Sequence, residues 1–135
     1  MERTLAIVKP DAVRRGYTER IFSRIRASGL RVLAWHEHYL SRAEAEQFYD
    51  VHRGRPFFNG LCEFMTSGPV VVAVLEGDHA IRKWRGLMGA TDPKMADIDT
   101  IRRDFGTDVE KNATHGSDAP GTAAREIRFF FPELA

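Results

Sequence analysis

Thiols are almost absent from this chain: Cys62 is its one cysteine, so no intramolecular disulfide can form and a stapled secretory scaffold is excluded. A surplus of charge is missing too. Twenty basic residues stand against nineteen acidic ones, a formal net charge of +1, which argues against a generic nucleic-acid or membrane binder and makes any anion site a local one. No apolar run reaches the length of a membrane span or signal core, and the run after Met1 ends at Lys9-Pro10, so a cytoplasmic location is expected. Two nucleotide motifs are lacking. There is no Gly-Lys pair, hence no Walker A loop, and no G-x-G-x-x-G after the first apolar run, so any nucleotide is held by another route. Lysine is scarce, with four residues (Lys9, Lys83, Lys94, Lys111) among the twenty basic ones. The arginines that make up the rest suit bidentate phosphate contacts, although a coding bias gives the same count.

What is present is enough for one core. With 135 residues, 43% of them hydrophobic, the chain is expected to form a single domain over 1–135. Leu5-Ala6-Ile7-Val8 is a short β-branched run that predicts a buried strand ending at Lys9. Ile21, Phe22 and Ile25 recur at helical spacing over Thr18 to Ser28, with Gly29 as a stop. Leu30 to Leu40 predicts a strand, and Ser41-Arg42-Ala43-Glu44 a capping box for the helix that follows. A helix is expected from Pro56 to Ser67, broken by Gly68-Pro69, and Val70 to Leu75 predicts a strand covered on both faces. Asp78 is the expected cap of a helix through Met88, with Trp84 on its apolar stripe. From Gly89 to Gly116 the pattern fades apart from a turn at Thr100 to Phe105, and a loop of that length inside a compact domain is usually functional. Asp118 and Pro120 are expected to open a last helix through about Arg128. Helices alternating with short strands indicate an α/β sandwich, with the ferredoxin-like βαββαβ arrangement as the natural candidate.

Among the chemical groups, His115 sits in Asn112-Ala113-Thr114-His115-Gly116-Ser117-Asp118, which is expected just before the last helix. Gly116 would free the backbone, Ser117 offers a hydroxyl, and a helix N-terminus would supply oriented donors. Glu126, two turns along, could hold one ring nitrogen while the other attacks. The plainer reading is a loop and N-cap. Lys9 at a strand end points into a cleft or is simply solvated. Arg53-Gly54-Arg55-Pro56-Phe57-Phe58 reads either as a phosphate clamp with a stacking platform or as a helix entry with both phenylalanines in the core. Arg85, Thr91 and Arg102 flank the long loop and could converge on phosphates. His36 and His38 alternate on one strand face, but no Cys or carboxylate completes a ligand set at that spacing.

Taken in order, the motifs Ala6-Ile7-Val8-Lys9-Pro10-Asp11-Ala12-Val13 with Arg15-Gly16, Tyr49 with Arg55-Pro56-Phe57-Phe58, and Ser67-Gly68-Pro69-Val70 resemble the nucleoside diphosphate kinase family. Gly89-Ala90-Thr91-Asp92-Pro93, Thr100-Ile101-Arg102 and Asn112-x-x-His115-Gly116-Ser117-Asp118 complete the likeness, and the last is the most specific. The resemblance implies that His115 accepts a γ-phosphoryl group, with Ser117 and Glu126 orienting its ring. Lys9, Tyr49, Arg55, Arg85, Thr91 and Arg102 would surround the phosphates, with Asn112 and Lys9 reaching the ribose. Phe57 would stack on the base, with Leu61 and Val109 lining the same slot. Mg2+ would arrive bound through the nucleotide phosphates, and the protein would be a homo-oligomer, a dimer at least, with a tetramer or hexamer as the larger alternatives. The sequence departs from the family at Asp99, where Gly is usual, at Glu19, where a small residue is usual, and in ending at Leu134-Ala135. Two other classes stand beside this reading: a nucleotide-binding or regulatory module of the same fold without turnover, and a nucleic-acid binder using the sheet, which the charge balance disfavours.

Overall fold

The computed structural model describes residues 1–134, so Ala135, the end of the expected domain, lies outside the described residues. Strand β1 (Glu2–Val8) runs into a short helix α1 (Pro10–Arg14), then α2 (Thr18–Ala27) and strand β2 (Arg31–His38). Helices α3 (Arg42–Phe48) and α4 (Phe58–Met65) lead to β3 (Val70–Gly77), and α5 (Ala80–Met88) and α6 (Ile101–Phe105) to β4 (Thr114–Gly116). Helix α7 (Pro120–Phe130) ends the order but for a 3-10 turn at Pro132–Leu134. The strands form one sheet in the order β2-β3-β1-β4 with every neighbouring pair antiparallel, which is the ferredoxin-like arrangement in its α+β form.

Two central strands carry the core because their side chains alternate between two covered faces. Leu5 and Ile7 of β1, with Val70, Val72 and Val74 of β3, meet Phe48, Phe58, Cys62, Ile127 and Phe130 on one side. Ala6 and Val8, with Val71, Ala73 and Leu75, meet Ile21, Phe22, Ile25, Trp84, Met88 and Ile101 on the other. That double coverage is why the Val70 run reads as unbroken hydrophobic sequence. The capping box forms as expected: Ser41 Oγ accepts the Glu44 amide at 3.1 Å and Glu44 Oε1 accepts the Ser41 amide at 2.9 Å.

Several expectations are corrected. The sequence pattern shows neither α1 nor β4, and the turn at Thr100 to Phe105 is the helix α6, capped by Thr100. The helix expected from Pro56 begins at Phe58. Asp78 caps nothing: His79 stands at the N-cap of α5 with φ 53, and Glu2 Oε1 reaches across from β1 to accept the Ile81 amide at 2.9 Å. Asp99 holds the left-handed conformation, φ 69, that a glycine would adopt without strain, and its carbonyl accepts from Arg24 at 3.4 Å.

Candidate active site

His115 lies on the edge strand β4 and not at a helix N-terminus, because Thr114, His115 and Gly116 pair with Val8, Ile7 and Ala6. Pairing with Ile7 turns the imidazole to the face covered by α3, α4 and α7, whereas pairing with Ala6 turns Gly116 to the opposite face. Gly116 serves close packing there: a Cβ would come within 2.6 Å of both Trp84 Cδ1 and Met88 Cε. From the same side the Trp84 indole donates to the His115 carbonyl at 3.2 Å. The backbone of the histidine is therefore gripped from behind.

Its ring is held from the front. Glu126 Oε1 on α7 accepts from His115 Nε2 at 3.0 Å and from the Ser117 hydroxyl at 2.7 Å, while Ser117 Oγ accepts the Leu5 amide at 3.2 Å. Glu126 and Ser117 are buried. A carboxylate only accepts, so the proton sits on Nε2 and Nδ1 keeps its lone pair. The ring remains 20% exposed and makes edge contacts with Phe48 and Tyr49 at centroid distances of 5.5 and 6.3 Å.

That exposed edge opens into a cleft of about 660 Å³ whose wall includes Tyr49, His52, Arg85, Thr91, Arg102 and Arg125. Arg102 donates to the carbonyls of Gly89 at 3.1 Å and Thr114 at 2.9 Å, cinching the two ends of the long loop. Burial, with Arg85 close by, draws its guanidinium down to about 10, so it stays charged at neutral pH. The Tyr49 hydroxyl is buried with no partner among the described residues, and burial, aided by the Glu126 charge, pushes its ionisation upward, so it remains a phenol. Thus the cleft offers three guanidinium groups, of Arg85, Arg102 and Arg125, and an unspent hydroxyl beside an imidazole nitrogen with a free lone pair.

Lys9 and Asn112 meet under the loop. Lys9 Nζ donates to Asn112 Oδ1 at 2.8 Å, and Asn112 Nδ2 donates to the carbonyls of Thr91 and Val109, both at 3.0 Å. Lys9 is pulled down to about 8, by burial first and by Arg102 second. The next residue, Ala113, is fully buried with φ 76; its carbonyl accepts the Lys9 amide at 2.8 Å and its own amide donates to Asp11 Oδ2 at 3.1 Å.

Of the residues expected at the site, the structure brings His115, Tyr49, Arg85, Thr91, Arg102 and Glu126 to the cleft, with Ser117 bonded behind them. Arg55, Phe57, Leu61 and Val109 lie off that wall. Phe57 is 49% exposed with its ring 5.2 Å from His52, which does line the cleft, whereas Phe58 is buried, so the core reading of that pair holds for Phe58 and not for Phe57. The first turn of α4 faces the turn that carries Val109, since a Cβ on Gly60 would sit 3.4 Å from the Glu110 carboxylate. Sequence reasoning missed Phe48, His52, Asp118, Thr122 and Arg125, which line the cleft, and the part Trp84 plays. Only the Phe48-Tyr49 doublet offered a signal, because the others converge through tertiary contacts.

The model of the family described as nucleoside diphosphate kinase matches residues 2–135. The chain is 59% identical over 134 residues to a nucleoside diphosphate kinase of Nitrosospira multiformis, covering 99% of this chain and 95% of the relative. It is 58% identical over 135 residues to that of Leptothrix cholodnii, covering 100% and 96%. Among solved structures it is similar to the nucleoside diphosphate kinase of Aquifex aeolicus, with TM-score 0.96, 48% identity and coverage of 98% and 96%. It also resembles the halophilic nucleoside diphosphate kinase of Halobacterium salinarum in complex with CDP, with TM-score 0.94, 44% identity and coverage of 96% and 87%.

Proposed function

The chain belongs to the nucleoside diphosphate kinase family and is a phosphotransferase of that kind, and on that premise we propose that His115 Nδ1 is the atom that carries the phosphoryl group. The observation that carries this assignment is the Glu126 contact to Nε2 at 3.0 Å, which fixes the tautomer and leaves Nδ1 as the available lone pair beside the cleft. In the first half-reaction Nδ1 bonds to the γ-phosphorus of a nucleoside triphosphate as the bond to the β,γ-bridging oxygen breaks, and the diphosphate leaves. In the second, a β-phosphate oxygen of another diphosphate attacks the same phosphorus and His115 is restored. The ring gains positive charge while phosphorylated, and Glu126 balances it through the shared proton without moving.

Arg85, Arg102 and Thr91 would meet the phosphates, Tyr49 would place its free hydroxyl beside the transferring group, and Arg55 would support the loop edge. Lys9 and Asn112 would take the ribose end. Transfer is then positioning and charge stabilisation by arginines and a lysine in place of a P-loop. Magnesium would enter as part of the substrate, bound through the phosphates; of the three carboxylates that line the cleft, Glu126 is engaged by His115 and Ser117, which leaves Asp50 and Asp118 beside the space it would share. Phe57, with Leu61 and Val109 lining the same slot, would stack on the base without reading its edge, and the CDP held by the halobacterial relative supports a pyrimidine nucleotide as a ligand.

Residues 1–135 would work as one domain in the cytoplasm; among the described residues no helix is long and apolar enough to cross a membrane. The edge strand β2, with Trp35 52% exposed, supports assembly to at least a dimer. The deciding experiment is incubation with γ-labelled ATP. An acid-labile, base-stable phosphoprotein is expected, discharged by any added nucleoside diphosphate; its absence in an ADP-binding protein would overturn the covalent route.

A further inference from the structure

We infer that Asp11 is a positioning residue of the nucleotide site, acting by holding Ala113 in a left-handed turn that presents Asn112 to Lys9. The inference rests on the reading above of Lys9 and Asn112 as nucleotide contacts. Its grounds are separate. Asp11 is buried at 5% exposure, yet its only side-chain partner among the described residues is the Ala113 amide, and Oδ1 is left without one. The nearby Lys9 charge eases the burial of this carboxylate but does not direct Oδ2 at the Ala113 amide, and a buried carboxylate hydrogen-bonded to one neutral amide is costly unless that bond fixes something else. What it fixes is a non-glycine residue at φ 76 with no exposure, a conformation that L-residues adopt only when their surroundings hold them there.

The backbone of Lys9 holds the other side of the same residue, since Ala113 accepts the Lys9 amide at 2.8 Å while its own amide goes to Asp11. Two residues of the Lys9-Pro10-Asp11 corner therefore clamp Ala113 from both ends. Asn112, immediately before it, is thereby aimed at Lys9 Nζ and at the carbonyls of Thr91 and Val109. His115 does not depend on this clamp, for its backbone is paired to β1 and its ring is held by Glu126. Loss of Asp11 should accordingly damage nucleotide binding far more than the chemical step.

The test uses Asp11→Ala, Asp11→Asn, Ala113→Gly and the double variant Asp11→Ala/Ala113→Gly in the full chain. Asp11→Ala is expected to raise KM for the diphosphate, and Kd for ADP by calorimetry, about tenfold while kcat stays within about threefold. Asp11→Asn keeps an acceptor oxygen and should stay within about threefold of the parent on both, whereas a role through charge on Lys9 would make it as poor as Asp11→Ala. Glycine adopts the turn unaided, so the double variant should recover most of the lost affinity. If Asp11→Ala does not fold, a folded double variant that binds ADP supports the clamp, and a double variant that also fails overturns it. Hydrogen exchange of the Ala113 amide reads the bond without any nucleotide: slow exchange in the parent and fast exchange in Asp11→Ala are expected, and equal rates would sink the proposal even if phosphoryl transfer itself is confirmed. Failure of the functional reading shows instead as an unphosphorylated parent.

Discussion

Around His115 the polar groups are buried and already bonded to one another, through Glu126, Ser117, Leu5 and Trp84, whereas Phe57 and Val109, the residues assigned to the base, stand half-exposed on facing turns. The first region has its geometry in place without a ligand; the second leaves the face of Phe57 and the side chain of Val109 largely in solvent. This division suits a phosphotransferase that must accept many nucleotides through one chemistry. Precision is concentrated where phosphorus changes partners, and tolerance where the base lies.

Removing the nucleophile tests the rigid region most severely. His115→Ala should lower transfer to less than about a hundredth of the parental rate, a loss above about 2.7 kcal/mol, while ADP binding by calorimetry changes little. Retention of more than that rate would show that another group carries the phosphoryl. Phe57→Ala tests the open region. Stacking contributes about 1–3 kcal/mol, so KM should rise for purine and pyrimidine diphosphates together with phosphoenzyme formation at saturation nearly unchanged. A loss confined to one base would show that the slot reads edges.

Lys9 stands between the two regions, and pH separates its effects. Its folded-state value of about 8 lies below the ordinary lysine value of 10.5, so its charged form costs stability below about pH 8 and that cost is relieved as pH rises from 8 towards 10.5. Nucleotide phosphates favour the charged form, so affinity for ADP should fall as stability rises over the same window. Lys9→Met should flatten both curves; parallel rather than opposed trends in the parent would refute the assignment. The smallest effect is expected far from both regions, at Asp99. Asp99→Gly relieves a left-handed residue but enlarges the freedom of the unfolded chain, so a stabilisation below about 1 kcal/mol should appear as a modest rise in Tm with unchanged kinetics.

The elements legible in the sequence are those whose signal is periodic or local. Val70 to Leu75 announced a doubly covered strand, and Ser41 with Glu44 a capping box, because burial pattern and cap chemistry are written in adjacent residues. β4 is three residues long and includes a histidine and a glycine, too short for any alternation to register, and so His115 was expected beside a helix end. The His115 to Glu126 contact was anticipated from helical spacing, but the role of Gly116 was not, since Trp84 reaches it from another helix. The first turn of α5 likewise takes its side-chain acceptor from far away in sequence, since Glu2 receives the Ile81 amide that Asp78 is expected to serve. The family motifs include Tyr49, Thr91, Arg102 and His115, which the fold brings to one cleft, but not Phe48, Thr122 and Arg125, which line it and belong to no motif.

Arg102 grips the carbonyls of Gly89 and Thr114 while itself belonging to the segment between them. The long excursion is thereby divided into two short loops that share one knot. Met95 and Ile98, both strongly exposed, sit on the first of these, beyond the knot from His115. Changes in length or composition at that tip should therefore reach His115 mainly through Arg102, and a remodelled tip is expected to leave phosphoenzyme formation close to the parental rate.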